Sequence, residues 1–153
     1  ASNAQAATAA PANLAVTANV ASACAVTATT TVAFGQYDPL AGAAKNGQGS
    51  VTVRCTKNTP YTVGLSAGTT AGATLAQRLM ANGADIMNYN LYTDAARTTV
   101  WGNSAAAPTW VSGTGAGLGT AQALTVYGRV PSGQTNLAVG NYSEPTITVT
   151  VTY

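Results

Sequence analysis

The chain has 153 residues, of which 46% are hydrophobic and only 7% are charged, with a net charge of +2. That charged fraction is far below the ~25% of an average soluble domain. The six basic residues are scattered and form no stripe of the kind that nucleic-acid binding needs, and the apolar runs are too short to span a membrane. The composition indicates one domain that covers much of its surface by assembly or works outside the cell.

The chain opens with ASNAQAATAA, a stretch that is mostly alanine and has neither charged nor aromatic side chains. Such a segment cannot bury enough apolar surface to fold by itself. The composition changes at Pro11. Beyond it, apolar side chains recur at every second position, at Leu14, Val16, Ala18 and Val20. This alternation predicts a half-buried strand that continues through Cys24.

The same alternation marks most of the remaining chain. It predicts a short piece at Val32 and Phe34, followed by strands in SVTVRCT, YTVGLSAG, NYNLY, RTTVWG, AQALTVYGRV and TITVTVTY. Turns rich in glycine and proline separate these strands, with a tight turn at Asn82-Gly83 and a long loop over residues 103–120 that is interrupted by TWV. No window has a sustained helical period. We therefore predict an all-β fold, an Ig-like β-sandwich.

Two cysteines, Cys24 and Cys55, lie in a chain rich in threonine, alanine and glycine. They predict one disulfide of an exported protein, and the alternative is two unrelated buried thiols. A bridge between them would close a loop of about thirty residues and stabilise the fold by roughly 3–4 kcal/mol in the chain-entropy model. No signal peptide is visible, so an exported protein is expected to be in its mature form here.

The sequence offers few groups for catalysis. It contains no histidine, which excludes imidazole bases and imidazole metal ligands. A carboxylate pair for glycoside hydrolysis is formally possible, but the four acids are expected to serve the turns in which they lie: Asp38, Asp85, Asp94 and Glu144. The segment GTGAGLG precedes no predicted helix, so we expect a flexible surface loop rather than a phosphate loop. No catalytic residue, cofactor or metal site is predicted, and the chain is not expected to be an enzyme.

Two tryptophans, Trp101 and Trp110, flank a predicted loop. We expect both to pack against the domain, since aromatic side chains near strand ends commonly do so. The alternative is that they stack on a sugar.

A series of short motifs runs in order along nearly the whole chain. They are ANVASAC, FGQYDP, SVTVRCTKNTPYTVGLSAG, RLM, NYNLYTDAARTTVWG, LTVYGRVPSGQ and VGNYSEPTITVTVTY. Each motif alone is weak. Their order and spacing together resemble the spore coat protein U domain family, which includes major subunits of archaic (Csu-type) chaperone–usher pili.

This resemblance implies an Ig fold that lacks its last strand, so that an open groove exposes the core. A periplasmic pilus chaperone would cover the groove first, and an outer-membrane usher would assemble identical subunits into a homopolymer on the cell surface. In that fibre the N-terminal extension of a neighbouring subunit would fill the groove. The family's disulfide would correspond to Cys24 and Cys55.

The sequence fits this mechanism physically. The final predicted strand has no strand after it to cover its edge, so the expected edge of the acceptor groove consists of Ile147, Val149, Val151 and Tyr153. The residues expected to face into a neighbour's groove share one parity and are Ala4, Ala6, Thr8 and Ala10. Pro11 lacks an N–H and cannot lie inside a strand that is bonded on both sides. We therefore predict a donor strand in residues 1–11 and an Ig-like pilin domain in residues 12–153.

The leading functional hypothesis is a structural pilin that polymerises head-to-tail by donor-strand complementation into an adhesive or biofilm-associated pilus. The alternatives are a secreted coat protein with another assembly geometry and a carbohydrate-binding adhesin module. Because the donor side chains in residues 1–11 are small, backbone pairing is expected to contribute more to docking than side-chain pockets do.

Overall fold

The computed structural model describes residues 5–153, and all regular secondary structure in that range is β-strand. The eight strands are β1 (Cys24–Thr30), β2 (Lys45–Cys55), β3 (Pro60–Leu65), β4 (Arg78–Asn82), β5 (Asp85–Tyr92), β6 (Val111–Thr114), β7 (Gln122–Val130) and β8 (Val149–Thr152). They form two antiparallel sheets, with strand orders β1-β2-β7-β5-β4 and β6-β3-β8. The predicted Ig-like β-sandwich is confirmed. No helix in the described range is long and apolar enough to cross a bilayer.

The core lies between the two sheets and follows the predicted alternation. Every second residue of β2 points inward at Val51, Val53 and Cys55, and the same period places Tyr61, Val63 and Leu65 of β3 inside. The remaining buried apolar side chains are Met87, Tyr89, Leu91, Trp101, Val126 and Val130. Burial of one face of each strand therefore explains why period-2 sequences identify both the strands and their inner faces.

The predicted disulfide is present. Cys24 lies opposite Cys55 in the ladder between β1 and β2, with a Cα–Cα distance of 4.1 Å and a formed S–S bond. Next to the bridge, the backbone N–H of Thr56 donates to the carbonyl oxygen of Ala23 over 2.9 Å. The start of β1 is thus fixed to the end of β2 by one covalent link and a hydrogen bond.

The hairpin of β4 and β5 contains a strand that the sequence analysis did not predict. The expected turn is present, with Gly83 at a φ of 60°, but the segment before it is the strand β4. Its first residue, Arg78, is fully buried and donates hydrogen bonds to the carbonyl oxygens of Leu65, Ser66 and Trp101 and to Oδ1 of Asn90. Burial lowers the pKa of Arg78 to about 10. A buried guanidinium breaks the apolar alternation by which strands are recognised.

Two further predictions differ from the structure. The segment RTTVWG forms only an isolated bridge between Tyr92 and Val100, because the chain here turns to place Trp101 in the core. The predicted loop over residues 103–120 contains the short strand β6, which pairs with β3. Neither difference changes the fold class.

Candidate functional site: an open groove and a free extension

A large open groove lies at one end of the sandwich. Its volume is about 1020 Å³, and its walls are residues 29–39 on one side and 137–149 on the other. Its floor is the hydrophobic core itself: Val51, Leu65, Met87, Tyr89, Leu91, Val126 and Val130. We call this feature the acceptor groove.

Within the first wall of the acceptor groove, residues 31–37 continue from β1 without pairing to β2. Val32 and Phe34 turn inward and pack on the core, and the Phe34 ring meets Tyr89 edge-on at a centroid distance of 6.1 Å. Within the described chain, the backbone groups of residues 31–37 have no hydrogen-bond partner. This wall therefore presents an unused strand edge.

Glycines bring this wall close to the sheet. A Cβ on Gly128 would lie 2.7 Å from Cζ of Phe34, and a Cβ on Gly49 would lie 2.6 Å from the carbonyl oxygen of Thr30. Neither distance is compatible with a side chain, so the close approach requires glycine at both positions.

The second wall, residues 137–149, precedes β8 and ends at its first residue, Val149. It is attached to the body by two backbone hydrogen bonds between Ser143 and Ala81 and by one from Ser66 to Thr148. β8 pairs with β3 on one side, and its other side lies at the end of the three-stranded sheet. The groove is therefore bordered on both sides by unpaired backbone, which is what an added strand needs.

The four residues predicted for the acceptor edge occupy different positions. Ile147 and Val149 line the acceptor groove. Val151 lies opposite Val63 of β3 and packs against the core, and Tyr153 is 59% exposed. Neither of these two residues lines the groove.

Among the described residues that line the groove, only Glu144 has a charged side chain. Its carboxylate accepts hydrogen bonds from Thr69 and Thr70 and from the backbone N–H of Thr146. Burial acts to raise the pKa of Glu144, but these hydrogen bonds outweigh it and lower the pKa from 4.5 to about 2. The charge is thus used internally, to hold the loop at residues 68–70 against the second wall.

The N-terminal extension, residues 5–22, has no regular secondary structure, and all of its residues are exposed. Its three large apolar side chains are almost fully exposed to solvent: Leu14 is 88% exposed, Val16 86% and Val20 82%. The prediction of a half-buried strand over residues 14–20 is therefore wrong for the isolated chain. The alternation is typical of a strand, but the described chain provides no partner strand or core surface for it.

The predicted donor residues Ala6, Thr8 and Ala10 are also exposed within this extension, and Ala4 lies outside the described residues. Sequence reasoning missed Leu14, Val16 and Val20 as candidate contact residues because they were assigned to the body. A usable signal was present in the sequence: small or apolar residues occupy every second position from Ala4 to Val20, and no glycine interrupts them.

The extension and the acceptor groove lie at opposite ends of the molecule. The extension leaves the body at Ala23, beside the disulfide and the turn that joins β2 to β3. The groove is lined by the other ends of β3, β7 and β8, at Leu65, Val130 and Val149, and by the middle of β2, at Ser50 and Val51. Because the extension leaves the body away from the groove, its insertion into another molecule is favoured over insertion into its own groove.

The two tryptophans offer little for a sugar site. Trp101 is 1% exposed, and its indole N–H donates to the carbonyl oxygen of Val63 over 2.9 Å. Trp110 is half-buried. Among residues 5–153, no group of three or more acids or cysteines is placed to hold a metal ion.

Comparisons with known proteins agree with this architecture. The family model of the Spore Coat Protein U domain matches residues 10–152. Protein U of Myxococcus xanthus is 38% identical to this chain over an alignment of 169 residues. The alignment covers 99% of this chain and 89% of that protein. The chain therefore belongs to the Spore Coat Protein U domain family, and this membership indicates a structural protein rather than an enzyme.

A solved structure shares the fold. It is the CsuC–CsuE chaperone–tip adhesion subunit pre-assembly complex from archaic chaperone–usher Csu pili of Acinetobacter baumannii, with a TM-score of 0.59 and 23% identity. The match covers 88% of this chain but only 40% of the chain in that complex. At this identity the likeness is one of fold, that of a chaperone–usher pilus subunit.

Proposed function

We propose that this protein is a pilin that polymerises by donating its extension to the acceptor groove of the next copy. One observation supports this most directly: an open groove with a core floor lies at one end, and an exposed strand-like segment leaves the other. A head-to-tail contact of this kind does not close on itself and so produces a filament. In the Csu complex a pilus subunit is bound by a chaperone, which supports a periplasmic chaperone as an earlier occupant of the groove. An usher would then assemble the subunits into a surface pilus.

The strongest anchors of the donor are Leu14, Val16 and Val20. Burial of a side chain of this size contributes about 1.5–3 kcal/mol, whereas an alanine contributes much less. All three share one parity, so a strand would direct them into the same groove, together with Ala18. Pro11, which cannot lie inside a strand bonded on both sides, then marks the start of the paired stretch. The donor in residues 1–11 expected from the sequence stays a prediction that the same experiment tests.

The experiment refolds the full chain from denaturant at high concentration and follows polymers as a ladder on unheated denaturing gels. Leu14→Asn with Val16→Asn places polar groups on the inward parity and should reduce polymer at least about tenfold, because each buried, unpaired amide costs a kcal/mol or more. The matched control is Ala15→Asn with Thr17→Asn, which alters the outward parity of the same stretch and should leave the ladder unchanged.

A third variant locates the donor. Ala6→Asn with Ala10→Asn should have a small effect if residues 14–20 are the anchor, and should abolish polymer if the donor lies in residues 1–11. Normal ladders from both inward-parity variants would overturn donor-strand polymerisation altogether.

A coat protein is the second candidate, because the family is described by its spore coat domain and Protein U matches almost end to end. The same exchange of strands would connect subunits in either assembly. Electron microscopy of the polymer separates the two: thin regular filaments support a pilus, and sheets or amorphous layers support a coat.

A further inference from the structure

A second surface of interest surrounds the root of the extension. A cavity of about 340 Å³ opens there, lined by Val20, Ala21, Ser22, Thr56, Lys57, Thr59 and Leu118. Leu118, at the tip of the glycine-rich segment GTGAGLG, is 50% exposed beside this cavity. We call the part of this surface that belongs to the body, Thr56, Lys57, Thr59 and Leu118, the root surface.

Hydrogen bonds attach the loop that presents Leu118 to the body. The backbone N–H of Gly115 donates to Thr59 over 2.7 Å, and that of Gly117 donates to Cys55 over 3.0 Å. Arg54 donates to the carbonyl oxygen of Leu118 itself over 3.2 Å. A Cβ on Gly115 would overlap the carbonyl oxygen of Thr56, so glycine is required for this close docking. These contacts place Leu118 at the surface beside the cavity.

The opposite end of the molecule also presents bare apolar side chains. Val139, in the second wall of the acceptor groove, is fully exposed, and Leu40, next to the groove-lining Pro39, is 92% exposed. Large apolar side chains in such positions are typical of surfaces that another protein covers.

The length of the linker brings these two ends together. Only Ala21 and Ser22 separate Val20 from Ala23, which is fixed to the body by its hydrogen bonds to Thr56. The three residue steps from Val20 to Ala23 span about 10 Å of extended chain. If Val20 enters a neighbour's groove, the mouth of that groove must lie against the root surface.

We infer that the root surface of one subunit packs against the groove mouth of the next, with Leu118 against the neighbouring subunit's Val139. This body-to-body contact rests on the proposed donor-strand function and adds a second interface to it. It assigns the segment GTGAGLG a role in assembly.

The test compares polymers of the full chain that carry a charge at this contact. Leu118→Glu and Val139→Glu should each still form ladders, since the donor strand is intact, but the polymers should dissociate on heating about tenfold faster, because an unpaired charge is buried at an apolar contact. Thr125→Glu, which places the same charge at an exposed mid-strand position of β7, should change the rate less than about twofold.

A paired variant tests the partners directly. Leu118→Lys combined with Val139→Glu should restore most of the wild-type rate, because the two charges neutralise each other across the contact. Unfolding of the monomeric form in urea checks that each variant folds, and Leu118→Ser provides a milder second variant.

Unchanged dissociation in both single-charge variants would overturn the body-to-body contact while leaving the donor strand in place. Weakening by both without rescue by the pair would overturn the pairing of Leu118 with Val139. Failure of donor-strand polymerisation is seen separately, as normal ladders from both inward-parity variants, the one at Leu14 and Val16 and the one at Ala6 and Ala10.

Discussion

Glu144 shows how a single residue shapes the acceptor groove. Its carboxylate collects hydrogen bonds from two threonines of one loop and from a backbone N–H of the wall in which it lies. Gly68 permits this approach, since a Cβ there would lie 2.9 Å from the carboxyl carbon of Glu144. Removing the charge should loosen the second wall.

The lowered pKa of Glu144 predicts acid sensitivity. Its pKa is about 2 in the folded chain and near 4.5 when unfolded, so its contribution to stability is complete above pH 4.5 and is lost as the pH falls towards 2. Glu144→Gln should lower the urea midpoint at neutral pH and make the midpoint less dependent on pH between 4.5 and 2. Urea unfolding of both proteins at several pH values measures this. If the urea midpoint of the Glu144→Gln variant depends on pH as steeply as that of the wild type, the role assigned to Glu144 is contradicted.

At the scale of elements, the first wall of the acceptor groove depends on its glycines. Gly128→Ala should displace Val32 and Phe34 from the core and destabilise the fold by about 1–3 kcal/mol, because the added methyl has no free space. Gly119→Ala is the control, since nothing lies within 4 Å of its Cβ position. Thermal unfolding compares the two, and equal melting temperatures would show that residues 31–37 adjust without cost.

The sequence predicted those elements whose burial alternates. It identified β2, β3, β5 and β7 and their inner faces because each has one side in the core. It missed β4 because Arg78 occupies a buried position in which an apolar residue is expected. The first wall depends on glycines of β2 and β7 that are distant from it in the chain, and no local pattern encodes such an approach.

The half-buried strand predicted over residues 14–20 was wrong for a related physical reason. Residues 14–20 alternate like any half-buried strand, and alternation alone does not say which molecule provides the other half. The groove as a cavity was expected only from the family resemblance. Its walls, and the exposure of Leu14, Val16 and Val20, needed the three-dimensional arrangement.

At the scale of the whole molecule, both parts of the proposed interface are nearly free of charge. The first 37 residues contain no charged side chain, and the groove has only Glu144, which is satisfied internally. Association driven by apolar burial and backbone pairing is insensitive to screening, in contrast to charge-steered association.

Polymers of the full chain should therefore tolerate salt. Raising sodium chloride from about 0.1 M to 1 M should change the rates of assembly and of thermal dissociation less than about twofold. The combined Leu118→Lys and Val139→Glu variant provides the contrast, because its engineered ion pair should weaken in high salt. Dissociation of the wild-type polymer by salt would mean that charged residues outside the groove and extension hold it together.

The exposed extension also has a consequence for resistance to proteolysis. Exposed, irregular segments are where proteases cut first, yet no lysine or arginine precedes Lys45, so enzymes of trypsin-like specificity find no bond to cleave in it. An enzyme that cuts after large aliphatic residues finds Leu14. Under the proposed donor-strand assembly, digestion at that bond would remove the extension from a solitary subunit and spare one whose Leu14 is engaged, so that unassembled subunits would lose the means to polymerise.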